Sequence, residues 1–129
     1  DGGTALMSAS RAGHREVVEA LVGKGASLDL QSKDGWTALM SASQGGHRLV
    51  VAALAEKGAS IDLQKENGWT ALMMASDNGH GEVVGRLLTK GASMDVQNKA
   101  GMTALMWASF YAHISDGHGE VAEKLVGMG

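Results

Sequence analysis

Histidine is the residue of this chain best suited to metal or proton chemistry, and four of the five histidines, His14, His47, His80 and His118, follow a glycine at corresponding places along the sequence. Such a row invites a metal test. Equivalent positions on stacked helices lie about 8 to 10 Å apart, whereas the ligands of one zinc ion, held by bonds of about 2 Å, need their donor atoms within roughly 4 Å of each other. One ion cannot collect a row spaced in that way. These histidines are therefore expected at turns, bonded to backbone, with His113 outside the row and open to another role. The carboxylates Asp29, Asp62 and Asp95 fail an acid–base test on the same spacing and are expected beside turn amides. No serine sits in a Gly-x-Ser-x-Gly elbow, and the 19 glycines form no Gly-x-x-x-x-Gly-Lys-Ser/Thr loop, so neither a catalytic nucleophile nor a nucleotide cofactor is expected.

Composition narrows the class further. Of the 129 residues, 44% are hydrophobic and 19% charged, which describes a globular chain rather than a disordered one. The 11 basic residues are scattered among 14 acidic ones for a net charge of -3, so there is no basic stripe to neutralise phosphates and no nucleic-acid partner is expected. No apolar run approaches the roughly 20 residues that span a bilayer, which argues against membrane insertion. A secretory leader pattern is missing from the start, and with Cys 0 there is neither a disulfide framework nor a thiolate metal site. An intracellular, cytoplasmic setting is the corresponding expectation.

The elements that must position these residues repeat. Thr4, Thr37, Thr70 and Thr103 each open a Thr-Ala-Leu-Met run, at an interval of about 33 residues. Each threonine suits a helix N-cap, and the small and apolar residues after it suit a short first helix closed by Gly13, Gly46 or Gly79. A second helix follows from the Gly-His step. Its apolar stripe, Val17, Val18, Leu21 and Val22 in the first unit, has i, i+3, i+4 spacing and ends near Gly25, Gly58 or Gly91. Leu28 and Leu30 then alternate in a connection that runs into the turn Asp34-Gly35. The chain thus divides into units 1–33, 34–66, 67–99 and 100–129 of one domain spanning 1–129.

Asp-Gly-x-Thr-Ala-Leu-Met-x-Ala-Ser, Gly-His, Val-Val and Lys-Gly-Ala-Ser, at this period, resemble the ankyrin repeat over essentially the whole chain. The resemblance implies an all-α ankyrin-repeat solenoid of stacked helix-turn-helix units joined by β-hairpin-like turns. It also implies non-catalytic protein–protein recognition or scaffolding, with no cofactor, through a concave groove lined by hairpin tips and first helices. Where family repeats carry Thr-Pro-Leu-His, this chain has Ala5, Ala38, Ala71 and Ala104, then Met7, Met40, Met73 and Met106, which we expect as a stacked core row. Ser10, Ser43, Ser76 and Ser109 stand where the family has a small helix-packing alanine. Two other readings stay open: a passive spacer segment of a larger array or multidomain protein, and an engineered repeat scaffold.

Residues that vary while their neighbours repeat mark places where packing does not dictate the side chain. At the third position of the units stand Gly3, Trp36, Trp69 and Met102, next to Lys33, Glu66 and Lys99, and on the adjoining helix face Ser8, Ser41, Met74 and Trp107. Tryptophan is enriched among interface anchors. Trp36, Trp69, Met102, Met74 and Trp107, with the charged tips Lys33, Glu66 and Lys99, are accordingly the expected binding surface for a protein or peptide partner. The competing expectation is that each indole folds back to shield its own hairpin. A five-residue insertion within 110–116 adds Tyr111 and His113 as candidates, predicts a longer first helix in the fourth unit, and predicts a turn at Ser115-Asp116-Gly117. Neither end carries a polar capping unit, so self-association through the ends is a further expectation.

Overall fold

The computed structural model describes residues 4–111 and 116–128. They form eight α-helices in four pairs: α1 (Ala5–Ala12) with α2 (Arg15–Gly23), α3 (Ala38–Gly45) with α4 (Arg48–Glu56), α5 (Ala71–Asp77) with α6 (Gly81–Thr89), and α7 (Ala104–Tyr111) with α8 (Asp116–Met128). The odd-numbered helices stack in one layer and the even-numbered ones in a second, each touching its own partner and its neighbours along the stack. This is a helical solenoid.

Local chemistry explains the starts and stops. Thr4, Thr37 and Thr70 have extended backbone, and each hydroxyl accepts the N–H of the methionine three residues on, at 3.1, 3.2 and 3.3 Å. That bond satisfies one of the amides a helix start leaves free. At the other end, Gly13 and Gly46 are left-handed, with φ of 77° and 74°, and the next amide reaches back into the helix, as His14 N–H does to Ala9 O. Glycine is needed here for a second reason: a Cβ on Gly46 would stand 2.6 Å from the His80 ring.

The core is a ribbon running the length of the stack. Leu39, Leu72, Val51, Val84 and Leu87 are buried between layers and neighbours, and the small Ala38, Ala42, Ala71 and Ala75 let the odd-numbered helices approach closely. Met7, Met40 and Met73 join this core, as expected of the row, but Met106 is 45% exposed, because among the described residues α7 has a layer neighbour, α5, on one side. Isolated helices of seven to nine residues would not persist in water, so the stability of α1 to α7 comes from these contacts.

The fourth pair departs from the sequence expectation. Helix α7 is described to Tyr111, and the expected lengthening through His113 and Ile114 lies outside the described residues. Helix α8 has 13 residues, against nine in α2, α4 and α6, and begins at Asp116, so Asp116 and Gly117 are helical rather than the turn predicted there. Helix α8 thus starts three residues before the place where α2, α4 and α6 start, and His118 lies inside it, whereas His14, His47 and His80 precede their helices.

Candidate functional site

The loops between pairs form narrow hairpins without ladder-forming strands among the described residues. Each closes on two backbone bonds: Ser32 N–H to Trp36 O, Lys65 N–H to Trp69 O and Asn98 N–H to Met102 O at 2.9 to 3.0 Å, and the N–H of Gly35, Gly68 and Gly101 back to Ser32 O, Lys65 O and Asn98 O at 2.9 Å. Neighbouring hairpins are tied by Glu66 N–H to Asp34 O and Lys99 N–H to Asn67 O, and by the side chains of Gln31 and Gln64. Each glutamine amide donates to its own hairpin and to the carbonyl of the equivalent glutamine one unit on. This lattice fixes the position just after each tip, where Trp36, Trp69 and Met102 stand, all half-buried.

The indoles are held in place. Trp69 packs on Trp107 with ring centroids 4.8 Å apart and planes tilted by 36°, an arrangement that adds to simple area burial. Trp36 has the Arg11 guanidinium 5.8 Å and the Lys65 ammonium 5.0 Å from its ring centroid, both close enough for cation–π attraction. Arg11 comes from the pair before and Lys65 from the hairpin after. Local packing and exposure therefore coexist in the same side chains: part of each indole packs, and part faces out.

The rest of the expected surface divides. Lys33, Glu66 and Lys99 are exposed at the hairpins, and Met102 is half-buried beside them. Met74 is a correction. It is only 4% exposed because α5 is flanked on both sides by other helices, and the same is true of Ser41 on α3 at 1%. These two side chains belong to the core and offer a partner no surface. Tyr111 is the last residue of α7, while its side chain and His113 lie outside the described residues. Sequence reasoning passed over Arg11 and Lys65. The recurrence of Gln31, Gln64 and Gln97 at the repeat interval was a readable sign of the hairpin lattice.

The polar rows that raised the question of chemistry are joints between units. The His47 ring Nε2 bonds Arg11 O and the His80 ring Nε2 bonds Gln44 O, each at 2.9 Å, and His118 makes the equivalent contact with Asp77 O despite its different place in the helix. Asp29 accepts from the N–H and hydroxyl of Ser60 at 2.8 and 2.7 Å, and Asp62 from Ser93 N–H at 3.0 Å. Among the described residues no three His, Asp or Glu side chains are grouped to share a metal ion. Burial raises the pKa of Asp77, with the nearby His118 charge opposing in part. No helix of the described residues is long and apolar enough to cross a membrane.

Two-layer stacking of short helix pairs, with hairpins joining one pair to the next, defines a repeat protein of the helical-solenoid class. The family model for ankyrin repeats (3 copies) matches residues 1–65 and again 57–129, and the chain belongs to the ankyrin-repeat family. Repeats of this family are in general modules for protein–protein interaction. A comparison with curated proteins finds no match to the chain.

Proposed function

We propose that the chain is a non-catalytic recognition module that holds a protein or peptide partner along its hairpin face. Trp36, Trp69 and Trp107 serve as anchors, and Met102 forms the rim. Lys33, Glu66 and Lys99 tune specificity, and Tyr111 and His113 extend the surface at the fourth unit. The observation that carries this reading is the row of half-buried indoles set on successive hairpins, each clamped by neighbours from an adjoining unit. Clamping matters energetically. An anchor already fixed in the free protein loses less side-chain freedom on binding, so more of its contact energy appears as affinity. An intracellular, cytoplasmic setting is part of the proposal and is supported by the cysteine-free composition.

The test is quantitative affinity capture with the parent chain and a Trp69→Ala variant whose fold is verified by circular dichroism. A true partner is enriched by the parent and lost from the variant. Measured on that partner, Trp69→Ala should weaken binding by about 2 kcal/mol or more, as removal of a desolvated anchor does. Equal capture by both proteins would reject the groove, and no specific capture by either would favour a passive spacer.

A further inference from the structure

Charge is used differently on the two layers. The ion pairs among the described residues, Arg15–Glu19, Arg48–Glu82 and Lys124–Glu120, all lie on the even-numbered helices. On the hairpin side, Arg11 near the end of α1 and Lys65 in the hairpin before α5 stand 5.8 and 5.0 Å from the Trp36 ring centroid. Among the described residues neither side chain has a carboxylate or another hydrogen-bond acceptor within reach. Attraction to a π face uses the charge of a cation and leaves its N–H donors unused. Both are long side chains held by that ring contact alone, so a carboxylate arriving at the exposed part of the indole can draw a donor from each.

The next place in the row has a different character. Trp69 has Gln44 and Asn98 at the positions that correspond to Arg11 and Lys65, and its neighbour is the Trp107 ring, 4.8 Å away between centroids. A cationic subsite is therefore followed one unit on by an apolar one. Asp34 and Glu66 are exposed on the same hairpins and belong to no ion pair among the described residues. They oppose a polyphosphate strand, which carries a charge at every step, more than a peptide that presents a single carboxylate at the Trp36 position.

We propose that the Arg11–Trp36–Lys65 cluster is a carboxylate subsite, which receives an aspartate or glutamate side chain from a peptide segment whose large apolar side chain lies against Trp69 and Trp107. This rests on the reading of the hairpin face as a binding surface and adds the chemistry of its occupant. Charge complementarity selects an acidic segment, and the order of the subsites sets its spacing. Neighbouring units lie about 8 to 10 Å apart, and a polyproline II segment returns to the same face every third residue after about 9 Å, so the acid and the apolar side chain belong three residues apart.

The experiment is selection of random dodecapeptides, displayed on phage, by the parent chain and in parallel by Trp69→Ala, which identifies the peptides that use this face. Peptides kept by the parent and lost from Trp69→Ala should be enriched in Asp or Glu three positions from an aromatic or large aliphatic residue. Selection by Lys65→Glu should favour Lys or Arg at that place instead. For the best parent peptide, made synthetically, Arg11→Gln and Lys65→Gln should each weaken binding by about fivefold, an effect that shrinks in high salt. Lys65→Arg, which keeps the charge, should bind like the parent, as should Lys90→Gln, which removes an equal charge at the end of α6. Circular dichroism verifies the fold of every variant. Peptides that depend on Trp69 but show no acidic enrichment, or an affinity indifferent to both Arg11→Gln and Lys65→Gln, would overturn the carboxylate subsite and leave the binding face standing. Finding no peptide that depends on Trp69 would overturn both. Tighter binding of a single-stranded oligonucleotide than of the peptide would overturn the subsite by assigning the two cations to phosphate.

Discussion

Ser43 and Ser76 occupy equivalent places on α3 and α5, yet only the Ser76 hydroxyl donates to a helix carbonyl, Leu72 O at 2.7 Å. Ser43 Oγ is buried with no hydrogen-bond partner, as is Ser10 Oγ. A buried hydroxyl in that state costs its desolvation without return, and alanine is also the better helix former. Ser43→Ala should therefore raise stability by about 1 kcal/mol, read from the urea midpoint at unchanged slope. Asp77 makes a pH-dependent case. Its pKa is raised in the folded state, chiefly by burial, so the native protein holds that proton more tightly than the unfolded chain. The resulting penalty is absent well below the ordinary carboxylate value of about 4, grows as pH rises through it, and is complete above the raised pKa. Asp77→Asn should stabilise the protein at neutral pH and lose that advantage in acid, as paired denaturation curves at several pH values would show.

At the scale of elements, the helix starts were readable because a threonine hydroxyl and a following small-apolar run carry their own physical meaning, and Thr4, Thr37 and Thr70 cap as that chemistry requires. The placement of the insertion was not. Residues 110–116 contain neither glycine nor proline, so local preference allows either helix to grow; α8 begins at Asp116, and His118 within it bonds Asp77 O of the preceding unit. Burial along a column of equivalent residues was equally hard to read. Met74 and Ser8 share a column, but α5 lies between two helix pairs and α1 has one neighbour in its layer. Packing between layers should dominate stability: Leu72→Ala, at a site 2% exposed, is expected to cost about 2 to 5 kcal/mol. A loss below half of that lower bound in chemical denaturation would contradict the layer assignment.

For the whole molecule, the period of the Thr-Ala-Leu-Met run was enough to anticipate a stack, because a unit that cannot bury its own apolar stripe must find a neighbour. The proposed recognition row showed itself in the opposite way, through Trp36, Trp69 and Trp107 standing in columns that vary while their neighbours repeat. What the sequence withheld was mutual position: Trp69 and Trp107 come from different units and different columns, and only the fold brings them together. The repeated joints have a cost of their own. Because Asp29 and Asp62 present the same carboxylate to the same kind of serine, the joints carry no address, and a folding chain can seat the third pair on the first with nearly the same satisfaction as on the second. Covalent tethering then has to enforce order. The Trp69–Trp107 contact narrows this ambiguity at one joint, since the first unit has Gly3 where the second and third have Trp36 and Trp69, and the fourth has an indole, Trp107, where the others have Ser8, Ser41 and Met74. A side chain proposed as an anchor thereby also works as a key that keeps the fourth unit from seating on the first.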